Sequence, residues 1–413
     1  MRELIGKRNY ADSPFIVIWE VTRACALKCL HCRAEAQYAA DPRQLTTEEG
    51  RALIDQIAEL DNPLLVFTGG DPLMRPDLYD LIKYAVEEKH LSVSMTPSAT
   101  PRVTRQAIGR VKEAGLSRWA FSLDGSSAAI HDHFRGAKGS FEMTMNGIKW
   151  LRELELPIQI NTTVSRYNLH DLEAISGIVR EMGAVLWSLF FLVPTGRGMV
   201  KDMISAEQHE EVMKWLAGLS ASMPYGIKAT EAPHYRRVYV QEMNRQRREL
   251  GEGRAAAKGQ IAGKRMNYGE AEPVVKAGIG AEIGAGALPG VGTPDAGATI
   301  PVAKRRDVLG RAPQGVNDGD GFVFISHIGE VYPSGFLPVI CGNVREMTLG
   351  EIYRHSPVMK ELRDKNRLKG KCGSCEFKAL CGGSRARAYA VTGDYLESDP
   401  YCAYIPGEFH KTT

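Results

Sequence analysis

Phe15-Ile-Val-Ile-Trp19-Glu-Val-Thr22-Arg-Ala-Cys25-Ala-Leu-Lys-Cys29-Leu-His-Cys32 sets an unbroken apolar run against a loop holding three cysteines. A run that is apolar at every position from Phe15 to Trp19 reads as a strand buried on both faces. The cysteines that follow are separated by three residues and then by two. That spacing gathers three thiols in one loop, a metal-ligand arrangement that zinc and iron both accept.

A second strand pattern, Leu64 to Thr68, ends in Gly69-Gly70-Asp71-Pro72. Paired glycines commonly make a tight turn, but they also admit a ligand close to the backbone where a Cβ would collide. Further strand patterns recur at Leu91 to Met95, Arg118 to Leu123, Pro157 to Val164 and Val185 to Val193, separated by helical patterns opening near Pro76, Thr104, Phe141, Leu169 and Ser205. Thr46-Thr-Glu-Glu49 has the form of a capping box and opens a helix that runs to Leu60. Six βα units predict a parallel sheet with right-handed crossovers and ligands at the C-terminal ends of its strands. The motifs fall at such ends: Cys25 after the first strand, Gly69 after the second, Thr96 and Ser98 after the third. Ser122 and Asp124 lie at the fourth, Asn161 in the fifth and Pro194 to Gly198 after the sixth. The expected fold is α/β, an open, partial (βα)6 barrel related to the TIM barrel.

The cysteine spacing, the strand before it and the Gly-Gly-Asp-Pro element together resemble the radical S-adenosylmethionine (radical SAM) enzymes. The resemblance implies that Cys25, Cys29 and Cys32 hold a [4Fe-4S] cluster whose fourth, open iron binds SAM. It implies that Gly69, Gly70, Asp71 and Pro72 hold the methionine amino group, Asp71 replacing the more usual Glu and reaching one methylene less far. His31 stands where an aromatic residue packs near the SAM adenine, so its ring is read as a packing surface. Ser122-Leu-Asp124-Gly125, His131-Asp132 and Arg135-Gly136 resemble a pattern of the subgroup with a C-terminal cysteine-rich extension. With Thr96, Ser98, Asn161 and Pro194, Ser122, Asp124 and Arg135 then take SAM-carboxylate, ribose or substrate-pocket roles.

At 413 residues and 44% hydrophobic, the chain can bury a large core in two or three domains. A formal net charge of +3 makes no electrostatic case for nucleic acid. The greasiest run, Val185 to Val193, falls well short of the roughly 20 residues that span a bilayer. The first residues lack the apolar core of a signal peptide, and the eight cysteines cluster at ligand spacings in a long chain. A cytoplasmic protein with reduced thiols and no membrane or nucleic-acid partner is expected.

The composition turns rich in Gly and Ala from Arg245 to Gly319. The expected organisation is a core over 1–244, an insertion over 245–319 that is flexible or, alternatively, a lid, and a module over 320–413. The module opens with a hairpin pattern, Phe322 to Ser326 and Glu330 to Pro333, and carries Cys372, Cys375, Cys381 and Cys402. It resembles the SPASM extension of radical SAM enzymes, which implies that these four cysteines close one auxiliary [4Fe-4S] cluster. A four-cysteine zinc ribbon is the alternative, although such ribbons usually space their cysteines as two equal pairs. Arg385 stands where a cysteine of a second auxiliary cluster is expected, leaving Cys341 as a buried thiol or a residue facing substrate.

The resemblance implies reductive cleavage of SAM to a 5′-deoxyadenosyl radical, hydrogen abstraction from substrate, and passage of the remaining electron to the auxiliary cluster. Oxidation or decarboxylation follows more naturally than isomerisation. The chain looks most like the enzymes of haem d1 and alternative haem biosynthesis, which remove propionate or acetate side chains from tetrapyrroles. It is also similar to the mycofactocin maturase, which decarboxylates a peptide C-terminus, although no peptide-recognition domain precedes the barrel. Expected partners are a tetrapyrrole-like small molecule or a peptide, and an electron donor such as flavodoxin or ferredoxin. A non-catalytic iron–sulfur or zinc protein, the reading from another class, would need neither the large barrel nor the open iron.

Overall fold

In the computed structural model, which describes residues 9–261 and 315–407, seven strands run parallel and pair in chain order. They are β1 (Ile16–Glu20), β2 (Leu64–Thr68), β3 (Val93–Met95), β4 (Arg118–Ser122), β5 (Ile158–Val164), β6 (Leu186–Phe191) and β7 (Gly226–Thr230). The helices between them are α1 (Thr47–Ala58), α2 (Leu78–Lys83), α3 (Arg105–Glu113), α4 (Ala128–Arg135), α5 (Ser140–Glu153), α6 (Leu172–Glu181) and α7 (Ala206–Leu219). After β7 comes α8 (Tyr235–Ile261). A parallel α/β sheet of this kind is the partial barrel that the six βα patterns imply, with one strand more.

One face of the sheet is sealed in the core, where Val17 and Trp19 of β1 and, opposite them, Leu65 and Phe67 of β2 are wholly buried, while the apolar Ile18 and Val66 on the other face are half-buried. Trp19 and Phe67 pack with ring centroids 5.6 Å apart. Trp119 and Trp187 are sealed in the core, and Trp150 and Trp215 pack half-buried against it. The capping box is realised at α1, where the Glu49 amide donates to Thr46 Oγ1 at 3.2 Å and the Thr46 amide donates to Glu49 Oε2 at 2.8 Å.

Two features add to the expected architecture. The seventh strand, β7, carries Gly226 and Lys228 and shows no apolar run; pairing with β6, from Leu186 opposite Gly226 to Phe190 opposite Thr230, makes it a strand. The C-terminal hairpin strand β8 (Phe322–Ile325) is not confined to a separate module. It pairs parallel with β1, Ile16 opposite Phe322, and continues through the antiparallel β9 (Glu330–Tyr332) and β10 (Gly342–Asn343). The remaining helices are α9 (Leu349–His355), α10 (Pro357–Arg363), α11 (Gly370–Gly373) and α12 (Arg385–Thr392).

The chain divides into two units, Met1–Glu242 with Leu309–Thr413, and Met243–Val308. Helix α8 crosses the expected boundary at residue 244. The rest of the expected insertion up to residue 314 lies outside the described residues. Among the described residues no helix is long and apolar enough to cross a membrane.

Candidate functional site

Beyond β1 the chain turns into the cysteine loop, which neighbouring loops hold in place. The Cys25 amide donates to the Gln37 carbonyl at 2.7 Å, the Leu30 amide to the Phe134 carbonyl at 3.0 Å, and Arg197 Nε to the Cys29 carbonyl at 2.8 Å. Gly69 and Gly70 press against the same loop. A Cβ on Gly69 would stand 2.5 Å from the Thr22 carbonyl oxygen, and one on Gly70 2.5 Å from that of Ala24. The glycine pair is therefore required by the cysteine loop's backbone, while its own backbone still borders the cavity described next.

Cys25, Cys29 and Cys32 all line one cavity of about 440 Å³ at the C-terminal ends of the strands. Thr96, Ser98, Ser122, Asn161 and Arg135 line it too, as do Gly69, Gly70 and His31. Cys25 Sγ and Ser98 Oγ are 3.5 Å apart. Burial pushes the Cys29 thiol up to about 11, with the neighbouring Arg135 guanidinium opposing the shift. The His31 ring stacks on Phe134 at 4.3 Å between centroids; burial drives its pKa well below the ordinary imidazole value and keeps it neutral. Its Nδ1 is buried without a hydrogen-bond partner among the described residues.

Four expected site residues do not border this cavity: Asp71, Pro72, Asp124 and Pro194. Asp71 is wholly buried and turned into the protein, where it accepts from Thr100 Oγ1 at 3.0 Å and from the amides of Leu73 at 3.1 Å and Ser98 at 3.4 Å. Pro72 begins the short 3-10 turn that Asp71 caps. Asp124 accepts from the Thr163 amide at 2.7 Å and from Arg135 Nη1 at 3.4 Å, so of this pair it is Arg135 that borders the cavity. The loop after β6 serves the cysteines through Gly196 instead, at φ +58°, where a Cβ would stand 2.4 Å from the Cys32 carbonyl oxygen. Sequence reasoning missed the contribution of β7 and the start of α8, which bring Lys228, Glu231 and Arg236 to the cavity wall. The only signal was a short Ile-Lys-Ala-Thr stretch.

Cys372, Cys375, Cys381 and Cys402 line a second, smaller cavity together with Arg237 and Asp399. Burial pushes the Cys381 thiol up to about 12. Arg385, in place of a further cysteine, is fully buried: it donates to the carbonyls of Tyr395 at 3.0 Å and Glu397 at 2.7 Å, and its Nη2 lies 3.6 Å from Cys372 Sγ. Cys341 borders neither cavity; its Sγ contacts the Val339 carbonyl at 3.7 Å and it packs against the main core.

Residues 19–176 match a family model of the Radical SAM superfamily, and residues 318–376 match one of the SPASM iron-sulfur cluster-binding domain. The AdoMet-dependent heme synthase of Methanosarcina barkeri is 36% identical over 96% of this chain and 98% of its own length. The chain belongs to the radical SAM superfamily. The AdoMet-dependent heme synthase of Nitratidesulfovibrio vulgaris is 40% identical over 97% of this radical SAM enzyme and 96% of its own length. Its fold is shared with Streptococcus suis SuiB bound to S-adenosylmethionine, at a TM-score of 0.63 and 14% identity over 95% of this chain and 78% of that one.

A radical SAM domain implies a [4Fe-4S] cluster and SAM, and the SPASM domain an auxiliary iron–sulfur cluster. The donor sets fit these groups. Three thiols stand together on the wall of the large cavity and four on that of the small one, and thiolates are the ligands such clusters take. Cys381 and Cys402 lie beyond the matched SPASM span, and the fold brings them to Cys372 and Cys375. For SAM, the orphaned His31 Nδ1 and the polar groups of Thr96, Ser98, Ser122 and Asn161 supply partners around the same cavity as the three thiols.

Proposed function

We propose that this radical SAM enzyme oxidatively decarboxylates the carboxylate-bearing side chains of a tetrapyrrole, converting propionates to vinyl groups. The observation that carries the reading is the character of the cavity. Beside the cysteine loop its wall is apolar and aromatic: Phe190 and Phe336 pack at 6.3 Å between centroids, and Phe324 lies under the Arg33 guanidinium at 4.4 Å. Cationic side chains, Arg33, Arg135, Lys228 and Arg236, interrupt that wall. A flat apolar macrocycle fringed with carboxylates suits such a surface. The end-to-end similarity to two heme synthases supports the same class of substrate.

When bound, SAM on the open-iron cluster supplies a carbon-centred oxidant able to take a hydrogen atom from an unactivated C–H bond. In this reading Cys25, Cys29 and Cys32 hold the irons, Asp124 orients Arg135 beside them, and the strand-end side chains position SAM. The apolar wall excludes water and holds the target carbon in near-attack contact. Each propionate converted loses one hydrogen atom, carbon dioxide and one electron, and the module holding Cys372, Cys375, Cys381 and Cys402 is assigned the role of electron acceptor. The test is anaerobic turnover of the reconstituted enzyme with SAM, dithionite and iron coproporphyrin III. Mass spectrometry should show loss of the elements of formic acid for each propionate converted; an unchanged tetrapyrrole alongside SAM cleavage would reject the substrate, and conversion of a peptide instead would favour a maturase.

A further inference from the structure

Three of the four cations on the cavity wall are occupied by the protein itself. Arg33 donates to Glu20 at 2.8 Å, Arg135 to Asp124 at 3.4 Å, and Arg236 to the carbonyls of Leu380 at 3.2 Å and Val316. Lys228 is different. It sits at the middle of β7, opposite Ser188 of β6, and its side chain lines the cavity half-buried. Among the described residues its ammonium makes no hydrogen bond or ion pair. The nearest acid along the strand, Glu231, instead accepts from Ser384 Oγ at 2.8 Å.

An ammonium held in a largely apolar cavity, with only the Glu231 carboxylate near it and that one already bonded to Ser384, costs free energy that a bound anion returns. The same surface, with Phe322, Phe324 and Ile18, takes an apolar body. We propose that Lys228 is the anchor for a carboxylate of the substrate, and specifically for a carboxylate that the reaction leaves in place. A carboxylate about to depart as neutral carbon dioxide is held back by an ion pair that stabilises its charge, so a lysine partner suits a retained group. The anchor would fix the face and rotation of the macrocycle and so choose which side chain meets the radical. This inference rests on the tetrapyrrole reading above.

The experiment titrates anaerobic holoenzyme, both clusters reconstituted, with iron coproporphyrin III and with its tetramethyl ester, followed by absorbance. Wild-type protein should bind the free acid roughly tenfold to a hundredfold more tightly than the ester, the usual range for a hydrogen bond to a charged group. Lys228→Met should bind both forms alike, near the wild-type affinity for the ester, and Lys228→Arg, which keeps the charge, should retain the preference. A Lys228→Met protein that keeps the full preference overturns the anchor alone. Wild-type protein that binds neither form overturns the tetrapyrrole reading and the anchor with it.

Discussion

Arg387 Nη1 donates to the backbone carbonyl of Glu231 at 2.9 Å. Glu231 lines the large cavity, and the same Arg387 nitrogen donates to Asp399, at the wall of the auxiliary cavity, at 3.2 Å. All of Arg387 is buried. Removing one partner of a buried charged pair strands the other, at a cost of about 3–5 kcal/mol. Arg387→Met should therefore lower the melting temperature clearly and release auxiliary iron first, which iron analysis and spectroscopy of the two clusters would follow. Unchanged stability and iron content would mean that this link is not holding the module.

Arg385 offers a second handle on the auxiliary site. A guanidinium donating toward a ligand sulfur stabilises the reduced, more negative cluster and raises its reduction potential. Arg385→Gln should lower the auxiliary midpoint potential, read by a redox titration followed by electron paramagnetic resonance, while the SAM-binding cluster keeps its own. Equal potentials in the two proteins would remove Arg385 from that role.

The ligand sets can be separated by mutation. Ala at Cys25, Cys29 and Cys32 together should abolish SAM cleavage, and Cys402→Ala should remove about four irons, whereas Cys341→Ala should remove none. Iron loss at Cys341 would contradict the placement of that thiol away from both cavities.

Binding should also report the charge of Lys228. Burial, with Arg118 and Arg236 nearby and Glu231 opposing, pulls its pKa down from 10.5 to about 8. The charged form, and with it the carboxylate affinity, is present below about 8 and lost as the pH rises through that value. Affinity for iron coproporphyrin III should thus fall above pH 8 in wild-type protein and stay level in Lys228→Arg. Between the folded and unfolded pKa values the unfolded chain binds more protons, so this residue alone makes stability rise with pH there. A wild-type affinity that is flat to pH 10 would place the binding charge elsewhere.

The sequence made the barrel legible wherever a strand is apolar on its core face and on its cavity face alike, as in β1 and β2, whose Ile16, Ile18 and Val66 line the cavity. It hid β7 because that strand lines a cavity, and Lys228 and Thr230 interrupt what would otherwise read as a strand. The cysteines were legible by spacing alone. The direction of a carboxylate was not: Asp71 and Asp124 stand beside strand ends in the sequence, yet one is consumed by the amides of Leu73 and Ser98 and the other by the Thr163 amide and Arg135. Which backbone donors a side chain meets depends on loops from distant strands, and no local pattern records it. The joining of β8 to β1 was hidden for the same reason, since the pairing spans some three hundred residues of chain.

The measurement that bears most directly on the account uses iron coproporphyrin III deuterated at the propionate carbon attached to the ring, with anaerobic holoenzyme, SAM and dithionite. Deuterium should appear in 5′-deoxyadenosine in step with vinyl formation, and both should vanish in the protein lacking Cys25, Cys29 and Cys32. Vinyl product formed with no deuterium in 5′-deoxyadenosine, or 5′-deoxyadenosine formed with no deuterium and an intact tetrapyrrole, would contradict it.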